Sequence, residues 1–298
     1  MKNPTLVQIN TEDGLTLPGL FYEANNSKKA AIFLHGNGSS SVFYSDDLKG
    51  EQAKALVNKG ISYLLFNNRG AHLIKKLNVQ DKNGKEKRKR FGMAYEKIKD
   101  CIKDIDGAIN FLESKGYKEF YLIGESTGAN KICVYNYYKP RNKVSKYILL
   151  GGGDDTGIYY NELGKKRFYK LLKESRDKIR RKKGDDLICE LLPNEIFSYK
   201  GFFDIANPDG DYNCFPFLEV LKNIRLSQKK LFRYFKSINK PSLVIYGEKD
   251  EYAWGDVPKI VDILKEQKPN FDYIIINNAD HGCSEHQNEL SKVISEWL

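Results

Sequence analysis

The sequence predicts an α/β protein with a mostly parallel, twisted sheet and helices on both of its faces. Short apolar runs of strand length alternate with stretches whose apolar residues recur at helical spacing. The strand-like runs are apolar throughout, which is typical of parallel strands that are buried on both faces. The chain has 298 residues, of which 41% are hydrophobic. That is enough for one such domain with an insertion.

The predicted elements follow one another in this alternating order. The chain opens with an antiparallel hairpin, strands 6–9 and 15–22, whose turn is Asp13–Gly14. The elements that follow, up to residue 150, are a strand over 30–34, a helix over 51–58, a strand over 63–66, a solvated loop over 75–90, a helix over 98–112, a strand over 120–123, a helix over 129–135 and a strand over 144–150. After a long insertion, strands are predicted over 241–247 and 273–276, and a last helix over 284–297.

The most informative motif is Gly-Glu-Ser-Thr-Gly at residues 124–128, which reads G-x-S-x-G. It follows an apolar run and precedes a stretch that can continue as a helix. A sharp strand-to-helix turn of this kind lifts the serine hydroxyl clear of the sheet, where a base can reach it. The alternative is an ordinary turn with a capping serine. The motif predicts that Ser126 is a nucleophile.

An acid and a base follow two later predicted strands. Asp250 lies just past the strand that ends at Gly247, and His281 lies just past the strand over 273–276. Open α/β sheets bind ligands outside the carboxyl ends of their strands, so these side chains can converge with Ser126. The order Ser, Asp, His is the one expected of a nucleophile, acid and base on such a sheet.

Other side chains near these positions are alternatives. Glu251 and Asp256 are possible acids, but Asp250 lies within the first turn of the loop. His286 is the alternative base, and we expect it inside the last helix as a surface or packing residue. Asp280 adjoins the histidine and is expected to point elsewhere.

On these residues the chain resembles the α/β-hydrolase superfamily of serine hydrolases, which includes esterases and lipases. The resemblance implies an α/β-hydrolase fold with a core over 1–153 and 238–298 and a largely helical cap inserted over 154–237. It implies an acyl-enzyme on Ser126, which His281 and Asp250 would help to form and hydrolyse. Neither a metal ion nor an organic cofactor is needed for that chemistry.

The resemblance also implies an oxyanion hole. The strand over 30–34 ends in His-Gly-Asn-Gly-Ser, where the family builds half of the hole. We assign one donor to the N–H of Asn37, with Gly38 as the alternative, and the other to the N–H of Thr127. Gly36 and Gly38 are also expected to border the substrate.

Four further residues near the predicted site have expected roles. Trp254 is predicted to line the substrate site. His35 is expected to order the oxyanion loop by hydrogen bonding. Glu125 and His72 are expected to pack under the site.

The insertion carries the strongest charge asymmetry of the sequence. Residues 165–183 hold eleven basic and two acidic side chains, in a chain with a net charge of +10. Phe168, Leu171, Leu172 and Ile179 are spaced to share one helical face, which predicts a basic amphipathic helix. Its charge fits a solvated helix, or a transient contact with acidic substrates or anionic membrane lipids. No nucleic-acid-binding motif accompanies it, so no nucleic-acid partner is expected.

Composition limits location and partners. The sequence contains no run of eighteen apolar residues, so no transmembrane helix is expected. Residues 1–5 lack the apolar core of a signal peptide. Five cysteines without C-x-x-C spacing indicate reduced thiols and a cytoplasmic protein. The sequence does not specify an oligomeric state.

Two classes of function remain open at this point. The first is a hydrolase for small to medium acyl or aryl esters, with thioesters, small amides or peptides as alternatives. The second is a binding protein that retains the fold. Residues 202–212, 126–128 and 249–252 also resemble the fungal branch of fusarinine (siderophore) esterases, which implies esters within medium-sized polar molecules.

Overall fold

The fold is built on ten strands and nine helices within the described residues, which are 3–38, 40–44, 48–193 and 195–298 of this computed structural model. The strands are β1 (Thr5–Asn10), β2 (Thr16–Tyr22), β3 (Lys29–Leu34), β4 (Ile61–Phe66), β5 (Lys75–Gln80), β6 (Glu86–Phe91), β7 (Glu119–Glu125), β8 (Val144–Leu150), β9 (Ser242–Gly247) and β10 (Asp272–Ile276). The helices are α1 (Leu48–Asn58), α2 (Cys101–Ser114), α3 (Thr127–Tyr138), α4 (Asp155–Arg180), α5 (Tyr199–Ala206), α6 (Phe217–Leu221), α7 (Arg233–Lys236), α8 (Val257–Gln267) and α9 (Gln287–Trp297).

Eight of the strands form one sheet in the order β1-β2-β4-β3-β7-β8-β9-β10. β2 pairs antiparallel with both β1 and β4, and every other neighbouring pair is parallel. The predicted mostly parallel sheet and its opening hairpin are therefore confirmed. The carboxyl ends of β3, β7, β9 and β10 lie on the same side of the sheet, along the line where these strands end, and the candidate site forms there.

The sheet separates two apolar layers. In β3, Ile32 and Leu34 face the layer that includes α2, α3 and α8, whereas Ala31 and Phe33 face the layer that includes α1 and α9. Because successive side chains of a strand point to opposite faces, an apolar run without alternation is what two covered faces require.

The prediction of a solvated loop over 75–90 was wrong. β5 and β6 form a separate antiparallel hairpin over this segment. Its turn is closed by a hydrogen bond from the Gly84 N–H to the Asp81 carbonyl at 3.0 Å. Leu77, Val79 and Phe91 are partly buried against the main core. The alternation of these apolar residues with polar ones is typical of a half-buried strand. The many lysines and arginines in the same segment made that pattern hard to recognise in the sequence.

The segment between β8 and β9 contains α4 to α7, where the sequence predicts a cap. α4 starts ten residues before the predicted basic helix and is kinked at Gly164, where φ is 67° and ψ is 154°. Phe168 and Leu172 are buried, whereas Ile179 is 38% exposed. The buried cap residues belong to the same apolar cluster as α2 and α3. The exact division into domains stays a prediction.

Two smaller points concern the ends and the length of the helices. His286 precedes α9 and does not lie inside it, so that expectation is corrected. Among the helices of the described residues, none is both long enough and apolar enough to cross a bilayer.

Candidate active site

Ser126 occupies the turn between β7 and α3 in a strained backbone conformation, with φ of 57° and ψ of −127°. Non-glycine residues rarely adopt positive φ, and such strain is found where the surrounding structure enforces it. The Ser126 N–H donates to the Leu150 carbonyl at 2.8 Å, which ties the turn to β8. A Cβ atom on Gly128 would lie 2.0 Å from the Leu34 carbonyl oxygen, so only glycine allows α3 to start this close to β3.

Asp250 and His281 form a hydrogen-bonded pair beyond the ends of β9 and β10. The His281 Nδ1–H donates to the Asp250 carboxylate, and Nδ1 is 2.9 Å from each oxygen. Asp250 is buried, and the Tyr252 N–H also donates to its Oδ1 atom at 2.9 Å. The Lys249 N–H donates to the Ala279 carbonyl at 2.8 Å and holds the two loops together. The pair therefore fixes the imidazole with Nε2 as its free nitrogen.

Two opposing effects act on the pKa of His281. Burial lowers it, but the hydrogen bond to Asp250 and the negative charges of Asp250, Glu125 and Glu251 raise it above its ordinary value. A raised pKa means that the neutral imidazole, which accepts a proton, becomes the main form only at a pH above 6.5. The charges around the pair thus set the pH at which it can act as a base.

Ser126 and His281 border the same cavity, of about 490 Å³. The residues that line it are Gly36, Asn37, Gly38, Ser40, Met93, Glu125, Ser126, Thr127, Gly153, Asp155, Ile158, Tyr159, Glu162, Leu192, Pro193, Glu195, Tyr252 and His281. No hydrogen bond joins Ser126 and His281 among the described contacts. Catalytic hydrogen bonds are often long without substrate and shorten once it binds.

The loop after β3 faces Ser126 across this cavity. The Gly38 N–H donates to the Met93 Sδ atom at 3.1 Å, whereas the Asn37 N–H has no acceptor among the described residues. The Thr127 N–H, at the start of α3, has none either. Two unpaired N–H groups beside a serine are the arrangement that stabilises an oxyanion.

The cavity wall is acidic although the chain is strongly basic. Its carboxylates are Glu125, Asp155, Glu162 and Glu195, and no lysine or arginine is among the described residues that line it. Burial raises the pKa of Asp155 to about 7, against the charges of His281 and Lys131, which lower it. The Tyr159 hydroxyl donates to Glu195 at 3.1 Å.

Of these carboxylates, Asp155, Glu162 and Glu195 were missed in the sequence, whereas Glu125 was expected under the site. Asp155, Tyr159 and Glu162 share one face of α4 through their helical spacing. A signal for the start of this helix was available, because Asp154 caps it by accepting a hydrogen bond from the Gly157 N–H at 2.8 Å.

The predicted neighbours of the site are placed as follows. Trp254 is not among the residues that line the cavity, since it packs partly buried against the main core. Tyr252 is the aromatic residue at this point, with its ring 4.8 Å from that of His281. Glu125 borders the cavity and is ion-paired with Lys49.

His35 and His72 lie in loops near the site. The His35 Nδ1–H donates to the Gly36 carbonyl at 2.8 Å. Burial, with the charge of Lys131, holds the pKa of His35 well below its ordinary value, so His35 is neutral. His72 Nδ1 lies 2.6 Å from the Tyr44 hydroxyl. Neither histidine is among the residues that line the cavity.

The described parts of the chain contain no group of three or more His, Cys, Asp or Glu side chains arranged to hold a metal ion. All five cysteines are free thiols, and only Cys189 among them is exposed.

Comparison with known families and proteins gives two matches in sequence. The model of the DUF1749 family, described as a protein of unknown function, matches residues 91–298. The monoacylglycerol lipase ABHD6 of Rattus norvegicus is 25% identical over 198 residues, which cover 61% of this chain. The match spans 55% of the length of that relative.

Solved structures match over nearly the whole chain. Est1E from Butyrivibrio proteoclasticus, with ferulic acid bound, has a TM-score of 0.62 at 15% identity and covers 98% of this chain and 97% of its own. An esterase of Pyrococcus furiosus has a TM-score of 0.58 at 18% identity, and the match covers 99% of this chain and 90% of that esterase's chain. The carboxylesterase CesB of Bacillus subtilis has a TM-score of 0.55 at 16% identity, and the match covers 98% of this chain and 90% of the CesB chain. These likenesses show the α/β-hydrolase fold.

Proposed function

The chain belongs to the DUF1749 family, and we propose that it is a serine hydrolase that cleaves carboxylic esters. In this proposal Ser126 is the nucleophile, His281 the general base and acid, and Asp250 the residue that orients His281. The observation that carries it is one cavity bordered both by a serine in a strained turn and by a histidine bonded to a buried aspartate. This is the arrangement that activates a serine hydroxyl.

The reaction follows from the positions of these groups. Ser126 Oγ attacks the acyl carbon and its proton passes to His281 Nε2, while Asp250 stabilises the imidazolium. The N–H groups of Asn37 and Thr127 donate to the oxyanion as charge develops on it. The Gly38 N–H already donates to Met93, which favours Asn37 as the donor in this loop.

The tetrahedral intermediate then collapses, and His281 returns the proton to the alcohol that leaves. Water, deprotonated by His281, attacks the acyl-enzyme through a second oxyanion and releases the acid. Loss of one oxyanion donor is expected to lower kcat by roughly 100- to 1000-fold.

The size and charge of the cavity support a proposal for the substrate class. A volume of about 490 Å³ suits small to medium acyl or aryl esters. Two similar proteins are named for related chemistry: one is a monoacylglycerol lipase, and the other, Est1E, has ferulic acid, an aryl acid, bound. Esters within medium-sized polar molecules, as in the fusarinine esterase branch, remain a candidate class. Thioesters and small amides are alternatives for the same residues.

Covalent labelling tests the proposal. A fluorophosphonate probe, which reacts with activated serines, is expected to label the wild type but not the Ser126→Ala variant. Ser40→Ala is the matched control, because Ser40 is the other serine among the described residues that line the cavity, and it should keep the label. Equal labelling of wild type and Ser126→Ala would remove Ser126 from its role. A wild type that neither reacts with the probe nor hydrolyses esters would favour a binding protein with this fold.

A panel of p-nitrophenyl esters tests the substrate size. We expect acetate and butyrate to be hydrolysed faster than palmitate, because carboxylates line the cavity and a long acyl chain would have to pack against them. A preference for palmitate would contradict this.

A further inference from the structure

We propose that a basic groove beside the β5–β6 hairpin docks the protein on the phosphate headgroups of an anionic lipid bilayer. This groove, of about 620 Å³, is separate from the active-site cavity, and no residue lines both. The residues that line the basic groove are Asp13, Leu15, Arg69, Val79, Arg88, Lys89, Arg90, Phe91, Tyr95, Lys97, Asp100, Lys103, Asp185 and Lys200. Seven of them are basic and three are acidic.

The acidic side chains of the groove are already engaged. Asp13 pairs with Arg69 at 3.0 Å and with Lys103 at 3.2 Å, and Asp100 pairs with Lys103 at 3.4 Å. The remaining acid, Asp185, is ion-paired with Lys200.

That leaves a cluster of cations without counter-charges. Arg88, Lys89 and Lys97 are exposed and form no ion pair among the described residues. Arg90 donates to the Tyr95 hydroxyl at 3.2 Å, which is a neutral acceptor. Their positive charge is thus available to an external anion.

The hairpin adds further unbalanced charge. Residues 75–91 contain eight basic and two acidic side chains. Lys76 and Arg90 lie directly opposite each other across the two strands, an arrangement of like charges that destabilises a β-pair. Neither acid of the hairpin lies across from these two cations, because Asp81 is in the turn and Glu86 pairs with Gln80. An anion bound beside the hairpin would relieve the repulsion.

The basic surface continues from the groove to the end of α4. Lys200, on the groove wall, lies against Gly184, which in turn contacts Ile179 of α4. The basic residues 178–183 therefore lie next to the groove. From the sequence, residues 165–183 fitted either a solvated helix or a transient anionic contact, and the hairpin had no part in that contact.

Exposed aliphatic side chains accompany this charge, which favours a bilayer over a nucleic acid. Ile179 is 38% exposed and Leu187 is 41% exposed. Basic residues mixed with exposed aliphatic ones are typical of surfaces that lie on a lipid headgroup layer. Binding of single-stranded nucleic acid usually needs exposed aromatic rings for stacking, whereas Tyr95 is buried and Phe91 is partly buried.

Vesicle sedimentation of the full chain tests the proposal. We expect binding to vesicles of phosphatidylcholine and phosphatidylserine, weak binding to phosphatidylcholine alone, and a loss of binding as salt is raised. Each cation near an anionic bilayer contributes about fivefold to binding. The triple variant Arg88→Gln, Lys89→Gln, Lys97→Gln should therefore bind on the order of 100-fold more weakly.

The matched control removes the same charge elsewhere. Lys59 after α1, Lys259 in α8 and Lys292 in α9 are exposed and do not line the groove, so the triple glutamine variant at these positions should retain most of the binding. Both triple variants should keep the wild-type rate on a soluble ester, which shows that they fold. Three results would overturn the proposal. Both variants could lose binding equally, or the wild type could fail to bind the anionic vesicles. The wild type could also bind duplex DNA or tripolyphosphate more tightly than the anionic vesicles. The binding readout does not depend on the esterase activity.

Discussion

Replacement of Gly151 by alanine tests whether the position of His281 limits the reaction. Gly151 follows β8 with φ of 59°, and its N–H donates to the Ile245 carbonyl at 2.9 Å. A Cβ atom at this position would lie 3.0 Å from His281 Cε1 and 3.3 Å from Asp250 Oδ2. The hydrogen bond holds the backbone, so the imidazole has to move by a few tenths of an ångström.

Two effects of different size are expected from Gly151→Ala. Alanine at positive φ costs roughly 1–2 kcal/mol of stability. Displacement of a catalytic group by 1 Å costs about 100-fold in rate, so a smaller shift of His281 should lower kcat/KM by about 10-fold. The assays are urea unfolding for stability and hydrolysis of p-nitrophenyl butyrate for activity.

Gly60→Ala separates these two effects. Gly60 follows α1 with φ of 73°, and a Cβ atom there would meet no atom within 4 Å. This variant should lose similar stability but keep full activity. If Gly151→Ala also kept full activity at the same stability as Gly60→Ala, the reasoning that Gly151 makes room for the His281–Asp250 pair would be refuted.

Two further predictions concern charge at the site. Glu251→Gln removes one charge that raises the pKa of His281, so the acid limb of the kcat/KM profile should move to lower pH. A limb that moves to higher pH would contradict His281 as the titrating base. Neutral p-nitrophenyl butyrate should be hydrolysed with a higher kcat/KM than anionic p-nitrophenyl succinate, because the described part of the cavity wall carries carboxylates but no lysine or arginine. The Glu162→Gln variant should show a smaller difference in kcat/KM between the two esters. A higher kcat/KM of the wild type for the succinate ester would contradict the prediction.

The fold was predictable where local pattern and burial agree. The uninterrupted apolar runs of β3, β4 and β9 are needed by a sheet covered on both faces, so they identified the strands and the sheet type. The sequence also sufficed to place Ser126, Asp250 and His281 just beyond the ends of three parallel strands, because motif and chain order specify those positions. Their catalytic roles stay a proposal.

What the sequence did not predict depends on contacts between distant segments. The β5–β6 hairpin has only three partly buried apolar residues, and its stability depends on the core that they pack against. The acidic cavity wall is assembled from distant segments, because Asp155 and Glu162 come from α4, whereas Glu125 ends β7 and Glu195 precedes α5. Trp254 and Tyr252 are two residues apart, and only the turn of the backbone after Asp250 decides which ring lies beside His281.

The most direct test of the central claim is to locate the acyl group during turnover. The protein is mixed with p-nitrophenyl acetate, quenched in acid within the first turnover, digested and analysed by mass spectrometry. The proposal predicts one acetyl group, on the peptide that carries Ser126, and none in the Ser126→Ala variant. Acetylation of a different residue at the rate of turnover, or undiminished hydrolysis by Ser126→Ala, would contradict it.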